Sequence, residues 1–140
     1  MARALVAAGA APRVVVNVGD DATIHGVHVS ADIDTVMYTL AGIEGPQGWG
    51  IADDTWTLMG HLENLGLDTA FRLGDRDFAN CLARTQMIDS GSSLSDAVEW
   101  LRKNLGVEVP VVPATDDRLR TIIHTSDGSR LEFQDYFVVR

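Results

Sequence analysis

Arg13-Val14-Val15-Val16-Asn17-Val18, followed at once by Gly19-Asp20-Asp21, is the stretch on which the fold turns. So continuous a β-branched run suits a strand covered on both faces, the usual environment of a parallel sheet. Helices must then supply the cover. Residues 2–8 before the run are weakly helical, and several capped helices follow it. The expectation is an α/β fold: a three-layer, Rossmann-like, mostly parallel sheet with helices on both faces.

Working outward, residues 24–29 form a short extended piece. Asp32-Ile33-Asp34-Thr35 then stands before Val36, Met37 and Leu40, which predicts an aspartate-capped helix. Residues 42–50, with Gly42, Gly45, Pro46, Gly48 and Gly50, make a long loop. Asp53-Asp54-Thr55 opens a helix whose Trp56, Met59, Leu62 and Leu65 share a face and which Gly66 ends. Residues 69–73 read as a short strand parallel to 13–18 and near it, and Asp75 caps a helix over 76–88 closed by Gly91. Ser93 with Asp96 gives a capping-box start to a helix reaching about 105. Residues 107–112 are strand-like, with Pro110 arguing against a fully hydrogen-bonded central position. Residues 121–125 and 130–133 flank the turn Ser126-Asp127-Gly128-Ser129, and 136–139 reads as an apolar strand.

Composition bounds the function. With 140 residues, 46% of them hydrophobic, the chain can bury one core, so a single domain is expected. A net charge of −9 opposes broad attraction to nucleic acid or an anionic membrane, and no apolar run reaches the roughly 20 residues of a membrane helix. A cytoplasmic protein is expected, and the single cysteine, Cys81, reads as a small core residue. A phosphate ester would need positive charge supplied locally by arginines, backbone amides or a divalent cation.

The chemistry-bearing residues are paired carboxylates: Asp20-Asp21, Asp32 with Asp34, Asp53-Asp54, Asp75 with Asp77, and Asp116-Asp117. Gathered at the carboxyl edge of a parallel sheet, such hard oxygen donors suit Mg²⁺; taken singly, each is equally at home as a helix cap or surface residue. Arg72 and Arg76 flank Gly74-Asp75 and could hold a phosphate or polar heterocycle, or form an internal ion-pair cluster with the neighbouring aspartates. His25 and His28 lack a further ligand at metal spacing, which argues against zinc, and His61 and His124 read as ordinary residues. No phosphate-loop, nucleophile-elbow or dinucleotide motif is present.

Several blocks in register resemble the CofD family, whose actinobacterial members are called FbiA. They are Val16-Asn17-Val18-Gly19-Asp20-Asp21, His25-Gly26, Asp32-Ile33-Asp34-Thr35-Val36-Met37-Tyr38-Thr39-Leu40, Gly48-Trp49-Gly50-Ile51-Ala52-Asp53-Asp54-Thr55 and Arg72-Leu73-Gly74-Asp75-Arg76-Asp77. Arg84-Thr85, Pro113 with Asp116-Asp117, Arg120-Thr121 and Phe133-Gln134-Asp135-Tyr136-Phe137-Val138 continue the likeness to the end. Measured against that family, residues 1–140 are expected to be one partial domain, lacking the glycine-rich first strand and loop and the C-terminal half.

The resemblance implies a Mg²⁺-dependent transferase of coenzyme F420 biosynthesis. The ribityl hydroxyl of the deazaflavin F0 would attack a guanosine-diphosphate-linked lactate or enolpyruvate and release GMP. It implies Asp34 and Arg72 as deazaflavin contacts, Asp34 as the residue that orients or deprotonates the attacking hydroxyl, and Asp20 and Asp21 with Asp32 or Asp34 as Mg²⁺ ligands. Asp75 and Arg76 join the expected substrate-binding set. Small molecules are the expected partners, a second copy of the chain is admitted as another, and lactate and enolpyruvate stay open as donor groups. The alternatives are an inactive fragment or a nucleotide-sugar-binding regulator similar to the YvcK group. That group continues its Asp-Asp motif with Gly-Gly-Ser-Ser where this chain has Ala22-Thr23-Ile24-His25-Gly26.

Overall fold

The computed structural model describes residues 1–134 and 136–137. Its elements run α1 (Ala2–Ala7), β1 (Val14–Val16), β2 (Ala22–Ile24), β3 (Val27–Val29), α2 (Ala31–Ala41), α3 (Thr57–Asn64), α4 (Asp75–Asp89), α5 (Leu94–Asn104), β4 (Val111–Pro113), β5 (Ile122–His124) and β6 (Arg130–Glu132). The architecture is α/β with a parallel pair at its centre: β1 lies beside β4 with Val14 opposite Val111 and Val16 opposite Pro113. Everything from β2 to α5 forms the crossover between them.

The core gathers on one side of that pair. Val16, Val18 and Val111 pack with Ile33 and Met37 of α2 and with Leu94, Val98 and Leu101 of α5. A second cluster joins Val27 and Val29 of β3 to Met59 of α3, Leu73, and Cys81 of α4. Cys81 is a free, buried core residue, as expected. Full burial of each such aliphatic side chain contributes about 1.5–3 kcal/mol.

Differences from the sequence reading are local and have visible causes. Residues 13–18 are not covered on both faces here, since Val15 is 64% exposed while Val16 is buried. Residues 69–73 form no strand. Asp68 Oδ1 accepts the Ala70 N–H at 2.9 Å and Thr55 O accepts the Asp75 N–H at 2.8 Å, so the segment is tied to the start of α3 rather than to the sheet. The extended piece at 24–29 is a hairpin whose two-residue loop, His25 (φ 50) and Gly26 (φ 80), has the doubly positive φ of a type I′ turn. Of the expected strand at 136–139, Tyr136 and Phe137 are helical, and Phe137 stacks on Phe133 with centroids 5.3 Å apart; the remainder lies outside the described residues.

Two expected caps also move. Ser30, not an aspartate, precedes α2, and Asp32 and Asp34 sit in the first turn. Gly74 precedes α4, so Asp75 is its first residue rather than its cap. The donors at the start of α4 are taken by Asp54, whose Oδ1 accepts from Arg76 N at 3.0 Å and whose Oδ2 accepts from Asp77 N at 3.1 Å. Asp75 returns the arrangement, accepting Thr57 N at 3.1 Å and Leu58 N at 2.9 Å at the start of α3. Gly74 is required between them, because a Cβ there would lie 2.2 Å from Asp54 Oδ2. The Ser93–Asp96 capping box of α5 forms as the sequence predicts.

Candidate functional site

The exchange of caps fixes α4 so that one of its faces, carrying Asp77, Cys81 and Arg84, looks toward α2. On α2 the facing residues are Asp34 and Tyr38, one turn apart. Arg84 is fully buried; it donates from Nη2 to Asp34 Oδ1 and from Nη1 to the His28 carbonyl at 3.0 Å. Tyr38 Oη donates to Asp77 Oδ1 at 2.7 Å and accepts from Asn80 Nδ2 at 3.1 Å. The Cys81 thiol points at Asp34 Oδ2 across 3.9 Å.

The electrostatics follow from burial. Desolvation pushes the Asp34 carboxyl up from its ordinary value, while the charge and hydrogen bond of Arg84 pull it back. Asp77 is raised to about 6, first by burial and then by the charge of Asp34. Burial and the same two carboxylates also raise the Tyr38 phenol and the Cys81 thiol. Arg84 loses favour by burial but gains more from Asp34, so it keeps its proton.

Above this layer lies a cavity of about 490 Å³. Trp49, Phe71 and Phe137 contribute aromatic surface, and Asp34, Asp77 and Arg72 contribute charge. The structure therefore brings Asp34 and Arg72, far apart in sequence, to one cavity. Arg72 lies over the Trp56 ring at 5.5 Å, which orients its guanidinium. Asp75 and Arg76 do not line the cavity: Asp75 is occupied as a cap, and Arg76 donates to the Ala52 carbonyl with its Nε 3.5 Å from Asp54.

The other expected metal ligands divide between two places. Asn17 Nδ2 donates to Asp20 Oδ2 at 2.8 Å and to Asp32 Oδ2 at 3.0 Å, so these two carboxylates converge on one amide at the surface. Such oxygen donors are of the type a hard cation such as Mg²⁺ takes, but a cation between them would have to displace the Asn17 amide donor. Asp21 instead accepts from Ser30 Oγ at 2.7 Å and lies 2.8 Å from His28 Nε2, at the edge of a separate 280 Å³ hollow. Asp34 is tied to Arg84, and a cation among Asp34, Asp77 and Cys81 would compete with that guanidinium and meet a thiol that burial keeps protonated. Gln134 links the large cavity to the Asp20 turn, lining the first and donating to the Asp20 carbonyl at 3.0 Å.

Sequence reasoning named Asp77 only as half of a carboxylate pair with Asp75, and gave Tyr38 and Arg84 no site role. The available signal was helical spacing: 34 and 38 on α2, and 77, 81 and 84 on α4, put polar groups in stripes that are otherwise core.

The family model for 2-phospho-L-lactate transferase CofD matches residues 1–140. The chain belongs to the CofD family. It is 45% identical over 129 residues to the 2-phospho-L-lactate transferase of Methanopyrus kandleri, covering 91% of this chain and 41% of that protein. It is 47% identical over 131 residues to the phosphoenolpyruvate transferase of Mycobacterium tuberculosis strain H37Rv, covering 89% of this chain and 40% of that one. The phosphoenolpyruvate transferase of Kitasatospora aureofaciens is 44% identical over 130 residues, 89% of this chain and 40% of the relative. This CofD chain thus spans about two fifths of the length of the curated relatives it matches. Among its described residues no helix is long and apolar enough to cross a membrane.

Proposed function

We propose that this chain carries the deazaflavin side of a CofD-type transferase of coenzyme F420 biosynthesis. The full reaction would move a phospholactyl or phosphoenolpyruvyl group from a guanosine-diphosphate-linked donor to F0. The observation that carries the reading is the 490 Å³ cavity, which unites Asp34 and Arg72 under aromatic surface. Ligand sites are typically of this size, apolar with a few placed polar groups. A flat tricyclic ring suits the aromatic walls, with the Arg72 guanidinium available to its carbonyl oxygens.

In the transfer, the F0 hydroxyl oxygen forms a new bond to phosphorus, the bond from that phosphorus to the GMP oxygen breaks, and the hydroxyl proton leaves. Asp34 would take that proton or hold the hydroxyl in line; its raised pKa makes it a better base than an exposed aspartate. Asp20 and Asp32 would hold Mg²⁺, which neutralises charge on the phosphoryl oxygens when bound. Asp21 and Asp75 keep their hydrogen-bonding roles in this account, and Arg76 remains outside the cavity.

The test is a fluorescence titration of the chain with F0, alongside an assay of GMP release with the guanylated donor and Mg²⁺. Asp34→Ala and Arg72→Ala are each expected to weaken F0 binding roughly tenfold or more, the loss expected of a charged hydrogen bond. Binding of F0 that ignores both substitutions would remove the cavity from the account.

A further inference from the structure

The floor of the Asp34 cavity holds a second carboxylate whose surroundings prepare it for a ligand. Asp77 receives the Tyr38 hydroxyl on Oδ1, and Tyr38 is itself held by Asn80, so the carboxylate is locked in rotation. No hydrogen bond to Asp77 Oδ2 forms among the described residues, and Asp77 lines the cavity. Asp34 is arranged alike, with Arg84 on Oδ1 and the Cys81 thiol 3.9 Å from Oδ2. An oxygen of each aspartate lies within 4.8 Å of the other.

We infer that Asp77 is a further binding residue of this pocket, which with Asp34 receives two neighbouring hydroxyl groups of a polyol chain. The inference rests on the deazaflavin reading and names the part of that ligand which Asp77 contacts: the ribityl chain, not the ring. When ionised, two carboxylates so close together only accept, and they are satisfied by two donors side by side. Hydroxyls on adjacent carbons supply them, each through an O–H···O bond of about 2.7 Å. The imide N–H of the ring does not, because it is flanked by carbonyl oxygens that would face the second carboxylate. Those oxygens suit Arg72, the cation on the cavity wall.

The experiment titrates the 140-residue chain with F0 and with a deazaflavin carrying a methyl group in place of the ribityl chain, following ring fluorescence. Asp77→Asn is expected to weaken F0 roughly tenfold or more and to leave the methyl compound unchanged. Tyr38→Phe, which frees Asp77 to turn, weakens F0 by a smaller factor and also spares the methyl compound. Equal weakening of both compounds, or no change in either, overturns the inference while the deazaflavin reading stands. Failure of the unsubstituted chain to take up F0 or the methyl compound at millimolar concentration overturns both.

Discussion

Asp75 and Asp77 stand two residues apart in the first turn of α4, yet they respond to the fold in opposite directions. Asp75 accepts hydrogen bonds from the Thr55 hydroxyl and the Leu58 and Thr57 amides, and these hold its carboxyl below the ordinary range. Asp77 faces the other way, into the layer with Asp34, and burial lifts it to about 6. One carboxylate is used to start a helix; the other is held ionisable at the floor of a cavity. The facing direction on the helix, not residue type, separates architecture from chemistry here.

The comparison can be broken most forcefully at Arg84. Arg84→Met leaves Asp34 buried without its partner and the His28 carbonyl without its donor, and should cost about 3–5 kcal/mol in urea denaturation. The double variant Asp34→Asn, Arg84→Met should recover much of that loss. Equal destabilisation in both would mean that packing, not charge, governs this layer.

Asp77→Asn should act with the reverse sign. Between its ordinary value of 3.8 and about 6, the folded chain holds a proton on Asp77 that the unfolded chain has lost, so stability falls as pH rises through this window. Asparagine removes that cost. The variant is expected to be more stable at pH 7 by up to about 3 kcal/mol, with the difference closing below about pH 4. A variant less stable than the parent at pH 7 would make Asp77 a structural residue like Asp75.

On the architectural side, Gly74→Ala should lose about 1–2 kcal/mol in a thermal melt by displacing the Asp54 cap. The backbone at Gly74 (φ −65, ψ 162) accepts alanine, so the cost is one of contact alone. The smallest effect belongs to Glu99, which Arg102 holds down to about 2 through its hydrogen bond. Its contribution is present above its ordinary value of 4.5 and lost as pH falls through about 2. Glu99→Gln should therefore differ from the parent by roughly 0.5 kcal/mol at neutral pH and converge with it in strong acid.

What was legible in the sequence follows the range of the interactions involved. The Ser93–Asp96 cap and the hairpin around Gly128 are set by residues a few positions apart, and both could be read. The parallel strand 13–18 was visible in its composition, but its partner was not: residues 69–73, with Phe71 and Leu73 alternating around Arg72, read as a short strand until Asp68 and Thr55 claim their surroundings. At the site, Asp34 and Arg72 came from the family likeness, and the structure places both at one cavity. Asp77 was read only as half of a pair with Asp75, and Arg84 was given no role, because aspartates and arginines are normally surface groups. The packing of α4 on β3 and α5 turns these two toward α2, where Tyr38 and Asp34 meet them.

The cap exchange between Asp54 and Asp75 makes residues 54–77 a closed clasp. Each helix start depends on a carboxylate from the far end of the segment, so neither can fray alone without releasing the other. Arg72 rides on this clasp, as does the Phe71 wall of the cavity. Amide exchange at the starts of α3 and α4 should accordingly follow a single opening free energy, and that same opening would carry Arg72 away from the cavity it lines.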